Sequence, residues 1–291
     1  MRCQKLDSAS APRWAACIPP ELFCQVLAGK LRALGAIFLG KPQGALVWEP
    51  GQPEGTVHSI YVRPAARRLG LATALVAELG EEMARAGCNR VWLTYARQGE
   101  RTLLDPFLLQ AGFSLAAETF PLGTATLEET ADALARQRIT PRPGGCATLE
   151  ELTRGERFRF SGWLREQTGL SLYHYVEQGP ASYVLMDRET PQGALLFRGG
   201  PEGLSLDYCW VASGRPSALA KLLARAIGDL CRDYPPETPL DMILSTPQGE
   251  GLYTHLLGQP THTITLCRGG YAPLPRWMLG GWARERSHLN G

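Results

Sequence analysis

Between His58 and Leu75 the chain reads His-Ser-Ile-Tyr-Val-Arg-Pro-Ala-Ala-Arg-Arg-Leu-Gly-Leu-Ala-Thr-Ala-Leu. A strand-like stretch runs through Pro64 into a basic, glycine-bearing turn, and the turn opens directly into a helical pattern. The first N–H groups of a helix have no intrahelical acceptor and lie at the positive end of its dipole. Gly70 lets the backbone approach a ligand closely. Arg67 and Arg68 add positive charge. Together these features make a pyrophosphate cradle built mainly from backbone amides. No Gly-Lys-Ser/Thr follows, so the turn is not a P-loop. Nor does it have the G-x-G-x-x-G spacing of a dinucleotide turn.

The flanking elements that must hold this turn are legible by periodicity. Ala33–Leu39 and Gly44–Glu49 read as paired strands and Thr56–Val62 as a third. Leu71, Leu75, Val76, Leu79 and Met83 recur at helical spacing, so a helix is expected from about Leu71 to Ala86 with Gly87 as its C-cap. Arg90–Tyr95 has strong strand chemistry. Asp105 with Pro106 opens another helix, and a strand begins near Phe113. Thr126 and Glu129 form a capping box at the start of a further short helix.

The chain repeats this plan. Lys41-Pro-Gln-Gly-Ala-Leu46 matches Thr190-Pro-Gln-Gly-Ala-Leu195, Pro53-Glu-Gly55 matches Pro201-Glu-Gly203, and Gly80 falls opposite Gly228. The offset stays at 148 or 149 residues throughout, which points to a duplicated domain. In the second copy Ser182–Asp187, Gly193–Arg198, Gly203–Val211, Leu240–Ser245 and Thr261–Cys267 read as strands. Ser217–Tyr234 reads as a helix, and a short helix surrounds Leu252–Leu257. The basic, Pro- and Gly-rich stretch at 136–145 reads as a linker. The expected domains are therefore 1–135 and 146–291, both mixed α/β.

The pattern Arg67-x-x-Gly70-x-Ala72 after Ile60-Tyr61-Val62-x-Pro64, with Gln110-Ala-Gly-Phe113 further on, resembles the acyl-CoA-binding motif of the GCN5-related N-acetyltransferase (GNAT) superfamily. The resemblance covers about 33–120 well and 182–270 more weakly. It implies two tandem GNAT-like domains of mixed α/β sheet, with acetyl-CoA as the cofactor of the first. The strands through Ile60 and Leu93 should be parallel and splay apart. Backbone groups of Ile60 and Val62 would pair with the pantetheine arm. Amides of Arg67, Arg68, Leu69, Gly70, Leu71, Ala72 and Thr73 would hold the pyrophosphate. A backbone N–H near Tyr61 or Val62 would meet the thioester oxygen. The implied activity is transfer of an acetyl group to a primary amine, on a small molecule or a peptide, by direct attack on the thioester. The alternative is a non-catalytic CoA-binding or interaction protein on the same scaffold.

An attacking amine must lose a proton, and His58 suits the base because histidine titrates near neutrality. Strand alternation counted from Val62 puts His58 on the face of Ile60 and Val62. Glu49 and Glu54 are alternative bases. The family's usual tyrosine acid, four residues before Gly112, is Leu108 here. Tyr95 stands as its substitute. Arg101 is a candidate contact for a CoA phosphate. Tyr173-His174-Tyr175 is a candidate acceptor contact.

In the second copy Arg215-Pro216-Ser217-Ala218 stands opposite the basic turn. Pro216 has no N–H to offer, and Ala218 replaces Gly70. The second copy is thus expected to be degenerate, lending surface to the acceptor site or to a homodimer. Lysine and arginine number 30 against 28 aspartate and glutamate, a balance with no footprint for nucleic acid or an anionic membrane. The eight cysteines include no C-x-x-C pair, and no metal cluster emerges. They read as buried, reduced thiols. With no apolar run of spanning length and no secretory signal, the expected location is the cytoplasm.

Overall fold

A computed structural model describes residues 1–97, 104–139, 146–168, 170, 172, 175, 180–188, 190–200, 203–212 and 216–273. The chain forms two compact units, 1–117 together with 267 onward, and 118–266.

In the first unit the apolar stripe at helical spacing winds into α2 (Leu71–Ala86). Gly87, left-handed at φ 68°, stops it, with the Gly87 N–H bonded back to Ala84 O and the Cys88 N–H to Met83 O. Leu71, Leu75, Leu79 and Met83 are fully enclosed. They pack on Leu34 and Ala36 of β2 (Arg32–Phe38), Leu46 and Trp48 of β3 (Lys41–Glu49), Val57 and Val62 of β4 (Glu54–Val62), and Val91 and Leu93 of β5 (Arg90–Arg97). Leu108 of α3 (Leu104–Gln110) and Phe113 complete this core. A 3-10 turn at Ala11–Cys17, next to α1 (Pro20–Leu27), packs against β3. Gly35 is needed beneath it, because a Cβ there would come within 2.5 Å of the Trp14 ring.

β1 (Arg2–Leu6), β2, β3 and β4 are antiparallel neighbours, and β5 lies parallel to β4. Beyond β5 come the 267–271 portion of β12 (His262–Tyr271) and the start of β6 (Ser114–Thr126). Tyr271 stacks on Phe113 with ring centroids 5.0 Å apart.

The second unit holds the rest of β6, then α4 (Leu127–Arg136), β7 (Ala147–Thr148), α5 (Arg154–Thr168), β8 (Tyr183–Asp187), β9 (Thr190–Gly200), β10 (Gly203–Val211), α6 (Pro216–Asp233), β11 (Pro239–Ile243), α7 (Pro247–Leu257) and the start of β12. The capping box at Thr126 forms as expected. Leu219, Leu222, Leu223, Ala226, Ile227 and Leu230 of α6 are buried against β9, β10, β11, α4 and α7. Phe160 and Leu164 of α5 belong to a separate cluster with Val184, Leu196 and Tyr208.

The duplication is visible in the registers at one constant offset. Gly44↔Val62, Ala45↔Tyr61 and Glu49↔Thr56 of β3 and β4 have their counterparts in Gly193↔Val211, Ala194↔Trp210 and Arg198↔Ser205 of β9 and β10. Both ladders slip by one residue at the same place, so His58 and Asp207 are the bulged residues of β4 and β10.

All eight cysteines are free thiols, but Cys24 and Cys231 are exposed, not buried. Both lie on helices, and neither is in the buried set of its unit. Among the described residues no helix is long and apolar enough to cross a membrane, and no metal-ligand group occurs.

Leu75 is wholly enclosed at the centre of the first core. Leu75→Ala should lower stability by about 2–5 kcal/mol, read from the urea unfolding midpoint.

Candidate active site

The register of β4 on β5 holds three pairs, Glu54↔Arg90, Gly55↔Val91 and Thr56↔Trp92. Both strands run on beyond them, to Val62 and Arg97, without pairing to each other. On its other side β4 stays bonded to β3, and the Arg63 N–H reaches Gln43 O at 2.9 Å. Backbone bonds in an antiparallel pair alternate sides. With Arg63 facing β3, Tyr61 and Ser59 face β3 too, and the backbone groups of Ile60 and Val62 point into the gap beside β5. Of the two N–H groups named for the thioester oxygen, that of Val62 lies on the open side and that of Tyr61 lies in the ladder.

After Val62 the chain makes a 3-10 turn over Pro64–Ala66. Arg68 (φ 62°) and Gly70 (φ 77°) are then both left-handed. Arg67 is anchored by its Nε, which donates to Val62 O at 3.1 Å, and its backbone N–H donates to Pro64 O at 3.2 Å, so contrary to expectation that amide is not free for a phosphate. Gly70 is the N-cap of α2. It offers no side-chain acceptor, and the first turn contains no acidic residue. The Ala74 N–H donates to Gly70 O at 3.0 Å, and the amides of Leu71, Ala72 and Thr73 precede it. A Cβ placed on Gly70 would meet nothing within 4 Å. The cradle is therefore open, uncapped and of positive character, and it suits a pyrophosphate. Arg67, Arg68, Leu69 and Thr73 are exposed around it, while Leu71 is buried and fixes the helix end.

The His58 side chain is fully enclosed, with Nε2 3.7 Å from Glu49 Oε2. Alternation from Val62 misplaces it. Val57 and Val62 both lie in the α2 core although five residues separate them, because the bulge shifts the phase by one. His58 lies against Glu49, whose register partner is Thr56, on the opposite face from Trp48. Glu54 on that face is occupied, accepting the Trp92 Nε1–H at 2.7 Å and lying 3.8 Å from Arg90. The Arg268 guanidinium lies 4.1 Å from the Trp92 ring centroid.

Tyr95 donates its hydroxyl proton to Asp105 Oδ1 at 2.6 Å, and Arg97 bonds the other oxygen at 2.6 Å. Burial, followed by that hydrogen bond, holds the phenol well above the usual tyrosine range. Such a phenol is a poor proton donor, and its proton is already committed. Leu108 is enclosed in the apolar core. Arg101 and the Tyr173-His174 part of the acceptor candidate lie outside the described residues, as does Arg215. Tyr175 is buried in the second unit, where its hydroxyl donates to Asp207. The Arg97–Asp105 tie escaped sequence reading. The pairing of a strand-end arginine with a helix-start aspartate was its one available signal.

The first unit thus combines an opened parallel strand pair, a bulged β4 and an uncapped helix start. Residues 7–103 match the model of the Acetyltransferase (GNAT) family. The structure is similar to a tandem GNAT protein from the clavulanic acid biosynthesis pathway, at 16% identity over 94% of this chain and 100% of that one, with a TM-score of 0.60. It is similar also to a probable N-acyltransferase of unknown function from Enterococcus faecalis V583 (12% identity, 93% and 72% covered, TM-score 0.56). A putative acetyltransferase from Pyrococcus horikoshii is comparable (13% identity, 94% and 89% covered, TM-score 0.55). No curated protein matches the sequence. The chain is thus a tandem GNAT-fold protein whose first unit carries the family's sequence pattern.

The folded Tyr95 binds its proton more tightly than an unfolded tyrosine, whose pKa is about 10. Its stabilising contribution is complete below that value and is lost as pH rises above it. Urea midpoints should therefore fall above about pH 10, and Asp105→Asn should make the fall shallower.

Proposed function

We propose that the chain is an acyl-CoA-dependent N-acyltransferase that moves an acetyl group from acetyl-CoA to a primary amine of a small molecule or peptide. The observation that carries this reading is the juxtaposition in the first unit of an open backbone edge at Ile60 and Val62 with an uncapped helix N-terminus at Gly70. A pantetheine arm resembles peptide in its amide spacing, so an open strand edge can bind it as an added strand. A pyrophosphate is the anion that a run of free amides and two arginines suits. The thioester supplies an acyl group already activated toward a nitrogen nucleophile.

In this reading the Val62 N–H faces the thioester oxygen, and His58 takes the proton that the amine must lose. The new C–N bond replaces the C–S bond. The departing thiolate takes its proton from water, because Leu108 has none to give and the Tyr95 hydroxyl holds its proton in a hydrogen bond to Asp105. A thiol of pKa about 8.5 needs little help. The free thiols and the near-zero charge balance fit a cytoplasmic enzyme that binds neither nucleic acid nor membrane. The buried Leu108 is the feature that favours the second reading, a CoA-binding protein without turnover.

Calorimetric titration with acetyl-CoA should find one site per chain, and Gly70→Glu should remove it. The new carboxylate would sit in the cradle and repel phosphate. The fold should persist, because a left-handed side chain costs about 1–2 kcal/mol and a carboxylate at a helix start returns about 0.3–1 kcal/mol. Binding retained in Gly70→Glu would refute the cradle. Binding without turnover of any amine would select the second reading.

A further inference from the structure

The duplicated register allows the His58 environment to be read against its counterpart. At the matching place in the second unit, Arg198 on β9 stands where Glu49 stands on β3, and the bulged Asp207 stands where His58 stands. Arg198 grips Asp207 with Nε 3.1 Å from Oδ2 and Nη2 3.2 Å from Oδ1. The Tyr175 hydroxyl donates to Oδ2 at 3.1 Å and the Ser205 hydroxyl to Oδ1 at 2.5 Å. Each copy therefore places a carboxylate and a nitrogen base across the bulge, with the polarity reversed. Three hydrogen bonds and the Arg198 ion pair engage both carboxylate oxygens in the second copy. In the first copy the group corresponding to Ser205 is Thr56, and its hydroxyl is buried without a hydrogen-bond partner.

Resting on the reading of His58 as the base, we propose that Glu49 is its positioning residue. The Glu49 carboxylate occupies the place of a structural ion-pair partner, holds the imidazole at the bulge, and compensates the positive charge the ring acquires when it takes the amine's proton. A lone imidazolium in so enclosed a place would be costly; a carboxylate 3.7 Å away removes much of that cost. The other charged groups on this face come from the remaining packed strands. Glu54 of β4 is held by Trp92 and Arg90, while Arg90 and, from β12, Arg268 lie at the Trp92 ring and oppose added positive charge. Glu49 is the carboxylate placed against the ring itself.

The test uses the full chain with Glu49→Gln and Glu49→Asp, read in two ways. One is the pH profile of kcat/KM for acetyl transfer; the other is the NMR pH titration of the His58 ring, assigned with His58→Gln. Glu49→Gln should move the ring titration and the acidic limb of kcat/KM to lower pH by about one unit. It should also reduce kcat about tenfold or more, with KM for acetyl-CoA unchanged, and Glu49→Asp should recover much of both effects. A ring titration that Glu49→Gln leaves in place overturns the proposal, whether or not the chain turns over an amine. If wild-type chain transfers no acetyl group, the function reading fails, and the ring titration alone still decides whether Glu49 acts on His58. A purely structural Glu49 would lower Tm and leave both pH readouts where they are. The exchange Glu49→Arg with His58→Asp, which copies the second pair into the first, should fold with a Tm near wild type and bind acetyl-CoA without turnover. Turnover by that variant would overturn the assignment.

Discussion

Past Thr56, β4 has a hydrogen-bonded neighbour on one side only. Interior strands rarely leave a row of N–H and C=O groups without a ladder, because an unpaired buried polar group costs about 1–3 kcal/mol. Here β5 is close enough to pair at Thr56↔Trp92 and then departs. Both strands are held by other contacts. β4 is fixed by its β3 ladder and by Val57 and Val62 under α2. β5 is fixed by Val91 and Leu93 in the same core, and at its far end by the Tyr95–Asp105–Arg97 tie to α3. Collapse of the gap would have to break one of these. The open edge is therefore a property of the packed frame, and a ligand with peptide-like polarity is what it can satisfy.

The bulge makes the second decision. By adding one residue to β4 it exchanges the faces of everything that follows, so the α2 core receives Val57 before it and Ile60 and Val62 after it. The extra residue itself escapes strict alternation. His58 is turned toward Glu49 while its neighbours still seal the core. A straight strand could present either the core contacts or the imidazole in this arrangement, but not both.

Much of this frame was legible in the sequence. The spacing of Leu71, Leu75, Leu79 and Met83 with Gly87 beyond located α2, and the repeated Pro-Gln-Gly-Ala-Leu word located both copies of the central hairpin. Less visible is α5, whose two glycines and six exposed or half-buried basic and acidic side chains mask a buried face of only Phe160 and Leu164. Short α1 and the edge strand β1 carry too few apolar positions to show a period. The bulge left no local signature, since a one-residue slip depends on the partner strand. For that reason His58 was recognised as a residue type and misjudged in its facing. The relation of Glu49 to Arg198 appears only when two ladders are laid in register.

With His58 read as the base, one backbone position serves as a structural tie in one copy and for proton transfer in the other, and the side chains decide which. Asp207 accepts hydrogen bonds from Tyr175, Arg198 and Ser205, which engage both of its oxygens. Those bonds tie Asp207 in place, with Arg198 itself more than half exposed. His58 beside Glu49 puts a titratable ring at the matching position instead. An imidazole can change charge near neutrality, and a carboxylate beside it makes the change less costly. In that reading one copy's bulge is tied by Arg198, and the other copy's bulge carries the base. The asymmetry between the copies follows from this choice at the bulge as much as from Pro216 at the start of α6, where the first copy has an open glycine cap.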